Sequence, residues 1–171
     1  TQTLGGVGEV LFSGVSNGIE LQARGDGTQA GAAVLTIGPG ITVHGTQKGR
    51  ITNSFTYDSI VNQGTISADT SGMTITVLGA TVTNQGTMQA INGGSLDVTN
   101  LSNPGSLSAT GSTLTLNGTW SNTGTINVAN STLNLGGSYT LASMGTINRT
   151  GGSVNITGTL NNTGPTLVLN A

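Results

Sequence analysis

Cysteine is absent from this 171-residue chain, which excludes disulfides, thiolate metal sites and thiol nucleophiles at once. Charge is scarce too: 6% of the residues are Asp, Glu, Lys or Arg, and the net charge is −2. The four basic residues, Arg24, Lys48, Arg50 and Arg149, cannot build a phosphate-tracking stripe, so no nucleic-acid partner is expected. No apolar run approaches the roughly 18 residues of a membrane helix, and no basic amphipathic segment is present, so membrane insertion is not expected. No segment sustains a 3.6-residue hydrophobic period, so helix is not expected either.

What is present is Gly, at 29 positions, with Thr, Ser and Asn, and 34% apolar residues that alternate with polar ones in short runs. Disordered chains combine low hydrophobicity with high net charge; this chain has neither. Its alternating runs can fold if each is stacked on another.

One step recurs along the chain: an apolar residue, a spacer, Asn, any residue, Gly, Thr or Ser, then an apolar residue. It appears as Ile60-Val61-Asn62-Gln63-Gly64-Thr65-Ile66, and again around Asn84-Gln85-Gly86, Asn103-Pro104-Gly105 and Asn122-Thr123-Gly124. A fifth copy, Leu141 to Ile147, carries Ser143 in place of Asn, and a sixth, Leu160-Asn161-Asn162-Thr163-Gly164, drifts at Pro165. The glycines at 64, 86, 105, 124, 145 and 164 are spaced by 22, 19, 19, 21 and 19 residues. Each period holds a second alternating run, such as Ile75-Thr76-Val77, Leu96-Asp97-Val98 or Leu114-Thr115-Leu116. Strict alternation marks a strand with one buried face, and clusters such as Asn92-Gly93-Gly94 mark turns.

A period near 20 with two or three short strands is one rung of an all-β, single-stranded parallel β-helix. One rung cannot bury its apolar side alone; stacking at the usual strand separation of about 4.8 Å buries all of them. The expected columns are Ile66, Met88, Leu107, Ile126, Ile147; beside it Ala68, Ala90, Ala109, Val128; and Ile60, Val82, Leu101, Trp120, Leu141, Leu160. Trp120 is therefore expected in the core. Asn62, Asn84, Asn103, Asn122 and Asn162 fall at one corner. There Asn tolerates the left-handed conformation, and its amide can bond both the turn and the next Asn, forming a structural ladder. Ser143 should be that ladder's weak point.

Residues 1–59 are less regular. Leu35 to Val43 reads as two strands around a Gly38-Pro39-Gly40 corner, Gly49-Arg50-Ile51 resembles the Gly-Thr-Ile step, and Phe55, Tyr57 and Ile60 should complete a shorter rung. Val7 to Phe12 and Ile19 to Leu21 are expected to be earlier rungs, and Asp26 to Gly31 a protruding loop. The expectation is about eight rungs with right-handed crossovers in one domain over 1–171. The chain opens mid-pattern at Thr1 and reads as a segment of a longer repetitive protein.

Catalysis needs convergent titratable groups. Glu9, Glu20, Asp26, Asp58, Asp69, Asp97 and His44 are spread over different expected rungs, with no pair repeating at a one-rung offset. His44, beside Gly45, reads as a surface turn residue. An enzyme is not expected, nor is any catalytic residue, cofactor or metal; the Gly-Gly-x-Gly-x-Asp calcium repeat is missing. A polysaccharide-acting enzyme using Arg24 or Arg50 is the weaker alternative. A sharper one is an outward sheet face whose rows include Thr74, Thr76, Thr113, Thr115 and Thr132. Regular Thr rows on a rigid sheet can order water as in ice-binding solenoids, although short polar residues also suit any exposed sheet.

The Asn-x-Gly-Thr-Ile steps and the Leu35-Thr36-Ile37-Gly38-Pro39-Gly40-Ile41-Thr42-Val43 segment resemble the β-strand repeats of very large bacterial surface proteins. These include filamentous-haemagglutinin-like adhesins and autotransporter passenger domains. The resemblance covers about residues 34–168. It implies export to the cell surface or medium, a fibrous shape, and a structural role in adhesion or biofilm matrix. The partners it implies are like chains, associating end to end or laterally, or surface carbohydrate or protein.

Overall fold

The structure, a computed structural model, describes residues 1–14, 20–164 and 166. The chain winds into stacked coils with three strand positions per coil, and every strand pairing among the described residues is parallel. Parallel neighbours require a crossover. Here the crossover of each face is the rest of the coil, which supplies the other two faces.

On the second face Val7–Phe12, Gly40–Gly45, Thr65–Ala68, Thr87–Ala90, Ser106–Thr110, the first half of Thr125–Leu135 and the first half of Ile147–Ile156 lie side by side. The third face stacks Glu20–Ala23, Gly49–Asn53, the starts of Thr74–Asn84 and Ser95–Asn103, Thr113–Asn117, and the second halves of the same two long strands. Each of these two faces therefore carries seven stacked strands, six full turns from first to last, or about 29 Å along the axis at the usual strand spacing. The first face runs from Gln2–Leu4 through Val34–Ile37, Ser59–Asn62 and the ends of Thr74–Asn84 and Ser95–Asn103 to Ser121–Asn122. Ser138–Thr140 and Thr159–Asn161 continue it.

Two of the three expected columns stand in full. Val10, Val43, Ile66, Met88, Leu107, Ile126 and Ile147 are in register, and those from Val43 to Ile126 are fully buried. Burying each large member contributes roughly 1.5–3 kcal/mol. Beside it, Ala68, Ala90, Ala109 and Val128 line up and the column ends in Arg149, which is exposed. Trp120 is core, 2% exposed, with its indole N–H donating to Gly136 O at 3.0 Å.

Several expectations are corrected. The early coils are longer than the repeat: Gln2 pairs Leu35, Leu35 pairs Ile60, Ile60 pairs Val82 and Val82 pairs Leu101, so successive coils take 33, 25, 22 and 19 residues. Val7–Phe12 and Glu20–Ala23 are thus two faces of one coil, which is why seven strands stack where about eight rungs were expected. Ile19 of the expected Ile19–Leu21 run lies outside the described residues. Gly49 to Thr52 pair with Ile75 to Leu78 on the third face, and the segment is no Gly-Thr-Ile corner step. Phe55 and Tyr57 sit exposed in a loop, leaving Ile60 alone as the core residue of that run. In the last column Tyr139 displaces Leu141: its ring lies 4.5 Å from that of Trp120, and it pairs with Leu160. Leu141–Met144 instead forms one helical turn, closed by Thr140 and Ser143 bonding reciprocally to each other's backbone N–H. This is the capping box in miniature, and it absorbs the extra residues of that coil.

Candidate functional site

The Asn corner is built by register. Asn62 Nδ2 donates to Asn84 Oδ1 at 2.8 Å, Asn84 to Asn103 at 2.7 Å, and Asn103 to Asn122 at 2.7 Å. All four are buried. Each amide also donates one coil ahead to the backbone, Asn62 to Thr87 O and Asn84 to Ser106 O at 3.0 and 2.9 Å. The ladder is directional, so its first acceptor is left over: Asn62 Oδ1 is buried and unpartnered, because the residue stacked behind it is Ile37. At its far end Asn122 meets the helical turn and donates to Met144 O and Thr146 O, both at 3.4 Å. Asn162 does not join the ladder. It is exposed and follows Asn161, which pairs with Thr140 across that helical turn. Ser143 lies in the turn, outside the ladder.

The ladder asparagines do not take the left-handed conformation; Asn92, Asn100 and Asn130 do, at other corners. A second ladder, of serines, runs along one of those corners. Gly93 N donates to Ser112 Oγ and Ser112 N to Ser131 Oγ, both at 3.0 Å, while the hydroxyls return bonds to Thr110 O and Ala129 O.

The outward rows of the third face are in register as expected. Thr74, Ser95, Thr113, Thr132 and Ser153 form one, and Thr76, Asp97, Thr115, Asn134 and Asn155 the other. Asn155 donates to Asn134 at 3.0 Å and Asn134 to Thr115 Oγ1 at 3.2 Å, so part of the second row is tied to itself. Burial between its neighbours pushes the Asp97 carboxyl up, with the Thr115 hydroxyl partly offsetting this. Upstream in the same row Arg50 pairs with Glu20 at 2.9 Å.

The expected scatter of titratable groups is corrected by the second face. His44 lies on the strand Gly40–Gly45, not in a turn, and bridges the coils on either side. Its Nε2 is 3.1 Å from Glu9 Oε2 and its Nδ1 is 3.1 Å from Asp69 Oδ2. The three line a shallow groove with Thr42, Thr65 and Gln89. Search at a fixed twenty-residue offset misses them, because the coils they span are longer; aligning Val10, Val43 and Ile66 first would have revealed them. Among the described residues no group of three or more His, Cys, Asp or Glu converges closely enough to hold a metal ion.

Asp58 is a second missed residue. It is buried, and its carboxylate accepts from Gly25 N, Ala33 N and Phe55 N at 3.0, 2.8 and 3.2 Å. The Ala33 and Gly25 bonds hold its pKa below the usual carboxylate value. It pins the exposed loop expected over Asp26 to Gly31, inside which Asp26 accepts from Thr28 N and Oγ1, both at 2.8 Å.

The fold and its ladders define a parallel β-solenoid with buried polar spines. No family model, curated protein or solved structure matches the chain.

Proposed function

We propose that the chain is a structural and adhesive solenoid segment of a secreted or cell-surface bacterial protein, acting as a rod or spacer without catalysis. The observation that carries this reading is the four-member buried Asn ladder, set in columns of like residues. A chain that stacks like on like along one axis makes length, and the amide-to-amide bonds of its buried ladder make that length stiff. The sparse charge leaves weak, short-range contacts to like chains, carbohydrate or protein as the natural mode of association. Of Arg24 and Arg50, the two basic residues a polysaccharide-acting site would call on, Arg50 is engaged by Glu20.

Immunogold labelling of intact source cells with antibodies to the folded chain tests the location: surface label is expected, and label appearing only after lysis would overturn it. Negative-stain electron microscopy should give rods of constant width, and featureless globular particles would contradict the rod.

The aligned rows of the third face favour one second reading, ice binding through Thr74, Thr76, Thr113, Thr115 and Thr132. Thermal hysteresis of the purified chain, lost on Thr113→Tyr, would install that reading. The rod reading predicts no hysteresis.

A further inference from the structure

We infer that His44 is a proton-operated clasp that holds the first coil onto the two coils behind it. The clasp is set by geometry and stands apart from any surface role. A neutral imidazole has one N–H and one lone pair; only the imidazolium donates at both nitrogens. Both ring nitrogens of His44 face a carboxylate oxygen at 3.1 Å, one from the coil before and one from the coil after. Only the protonated ring satisfies both contacts. Once the proton leaves, one nitrogen presents a lone pair to a carboxylate.

The contact that yields is the one to Glu9. The Glu9 side chain is 67% exposed and solvent can take it over, whereas those of Asp69 and His44 are 26% and 24% exposed. Glu9 belongs to Val7–Phe12, whose sheet partner among the described residues is Gly40–Gly45 on one side alone. Outside the sheet the strand is anchored at one end, by the buried Phe12 with Val10 packed against the core, while Val7 is 95% exposed and Leu11 42%. The groups that face the ring are Glu9 from the strand ahead and Asp69 from the turn behind; the other polar side chains lining the groove, Thr42, Thr65, Ser67 and Gln89, carry no charge. The clasp therefore works in one direction. Protonation ties Val7–Phe12 down, and deprotonation loosens it, so that the edge of Gly40–Gly45 is uncovered more often, the kind of open edge to which another strand can add. His44 is the chain's one histidine, so no second imidazole confounds the test.

The experiment is amide hydrogen exchange by NMR on the whole chain at pH 5.5 and pH 8, corrected for the intrinsic change in exchange rate. The protection of residues 8–12 should fall about two- to fivefold at the higher pH, the scale of a partly exposed ion pair, while Ile66 to Ala68 should not change. His44→Gln and Glu9→Gln should each abolish the step. At pH 5.5 the wild-type ring should give two N–H signals, both slower to exchange than those of a free imidazole. Protection of residues 8–12 that does not change with pH, a step that survives His44→Gln, or a ring whose N–H protons exchange as fast as in free imidazole would overturn the clasp. The ring signals come from the wild type, so they decide the matter even where a variant fails to fold.

Discussion

A buried amide in a ladder is held by two neighbours, and what a substitution costs depends on how many it leaves unpaired. Asn103→Ala removes the acceptor of Asn84 and the donor to Asn122 Oδ1, so it should cost roughly 1–3 kcal/mol in denaturant unfolding. Asn62→Ala should cost less. It strands Asn84 Oδ1 but removes the carbonyl that is already unpartnered at Asn62, so the number of orphaned side-chain acceptors in the ladder stays the same. Equal costs at the two positions would contradict a directional ladder. Asp97 and Asp58 give opposite signs with pH. Burial raises the folded pKa of Asp97, so the folded state holds that proton more tightly, and stability falls as pH rises from about 4 through the folded value. Asp97→Thr should remove this slope and stabilise at neutral pH, by at most about 1 kcal/mol given how much of the side chain water still screens. For Asp58 the folded pKa is depressed. Its contribution is complete above the unfolded value of about 3.9 and is lost as pH falls through the folded one. Asp58→Asn should therefore destabilise at neutral pH and flatten the acid limb of the unfolding curve. A parallel downward shift of the whole curve would mean that the carboxylate charge plays no part.

At the scale of the coil, the Asn-x-Gly step is a device for close stacking. Gly86, Gly105 and Gly124 do not take positive φ. They are glycine because a Cβ would run into the carbonyl oxygen of the glycine one coil behind, Gly64, Gly86 and Gly105 respectively. Those same carbonyls accept from Thr87 N, Ser106 N and Thr125 N at 2.9, 2.9 and 3.0 Å. Gly105→Ala should thus force the corner apart and cost about 1–3 kcal/mol or more, read from the unfolding midpoint. A neutral effect would mean the coils are spaced more loosely than the corner implies. This element was legible in the sequence because stacking demands the same residue at the same place in every coil, so Asn62, Gly86 and Ile126 announce themselves by repetition. The helical turn at Leu141–Met144 was not, because Leu141 fits an apolar column as well as Tyr139 does. Only the two added residues between Gly124 and Gly145 separate the two alignments.

Over the whole molecule, regularity declines toward the first coil, and so did what could be read. Coils of 33 and 25 residues carry loops whose length does not repeat, and a period cannot be counted through them. Asp58, whose partners lie 25 and 33 residues away, and the Glu9–His44–Asp69 contact both sit in that stretch. Each is a single event with no copy to reveal it. The outward Thr and Asn rows, by contrast, were placed correctly because alternation fixes which side of a strand faces out.

Successive coils place like residues directly on one another, and methyl NMR tests this stacking. With the Ile, Leu, Val and Met methyls labelled, Ile66 should show NOEs to Met88, Met88 to Leu107 and Leu107 to Ile126, an unbroken chain along one column. Absence of those contacts in the folded protein, or Ile66 in contact with Ile126 while Met88 is not, would contradict the stack.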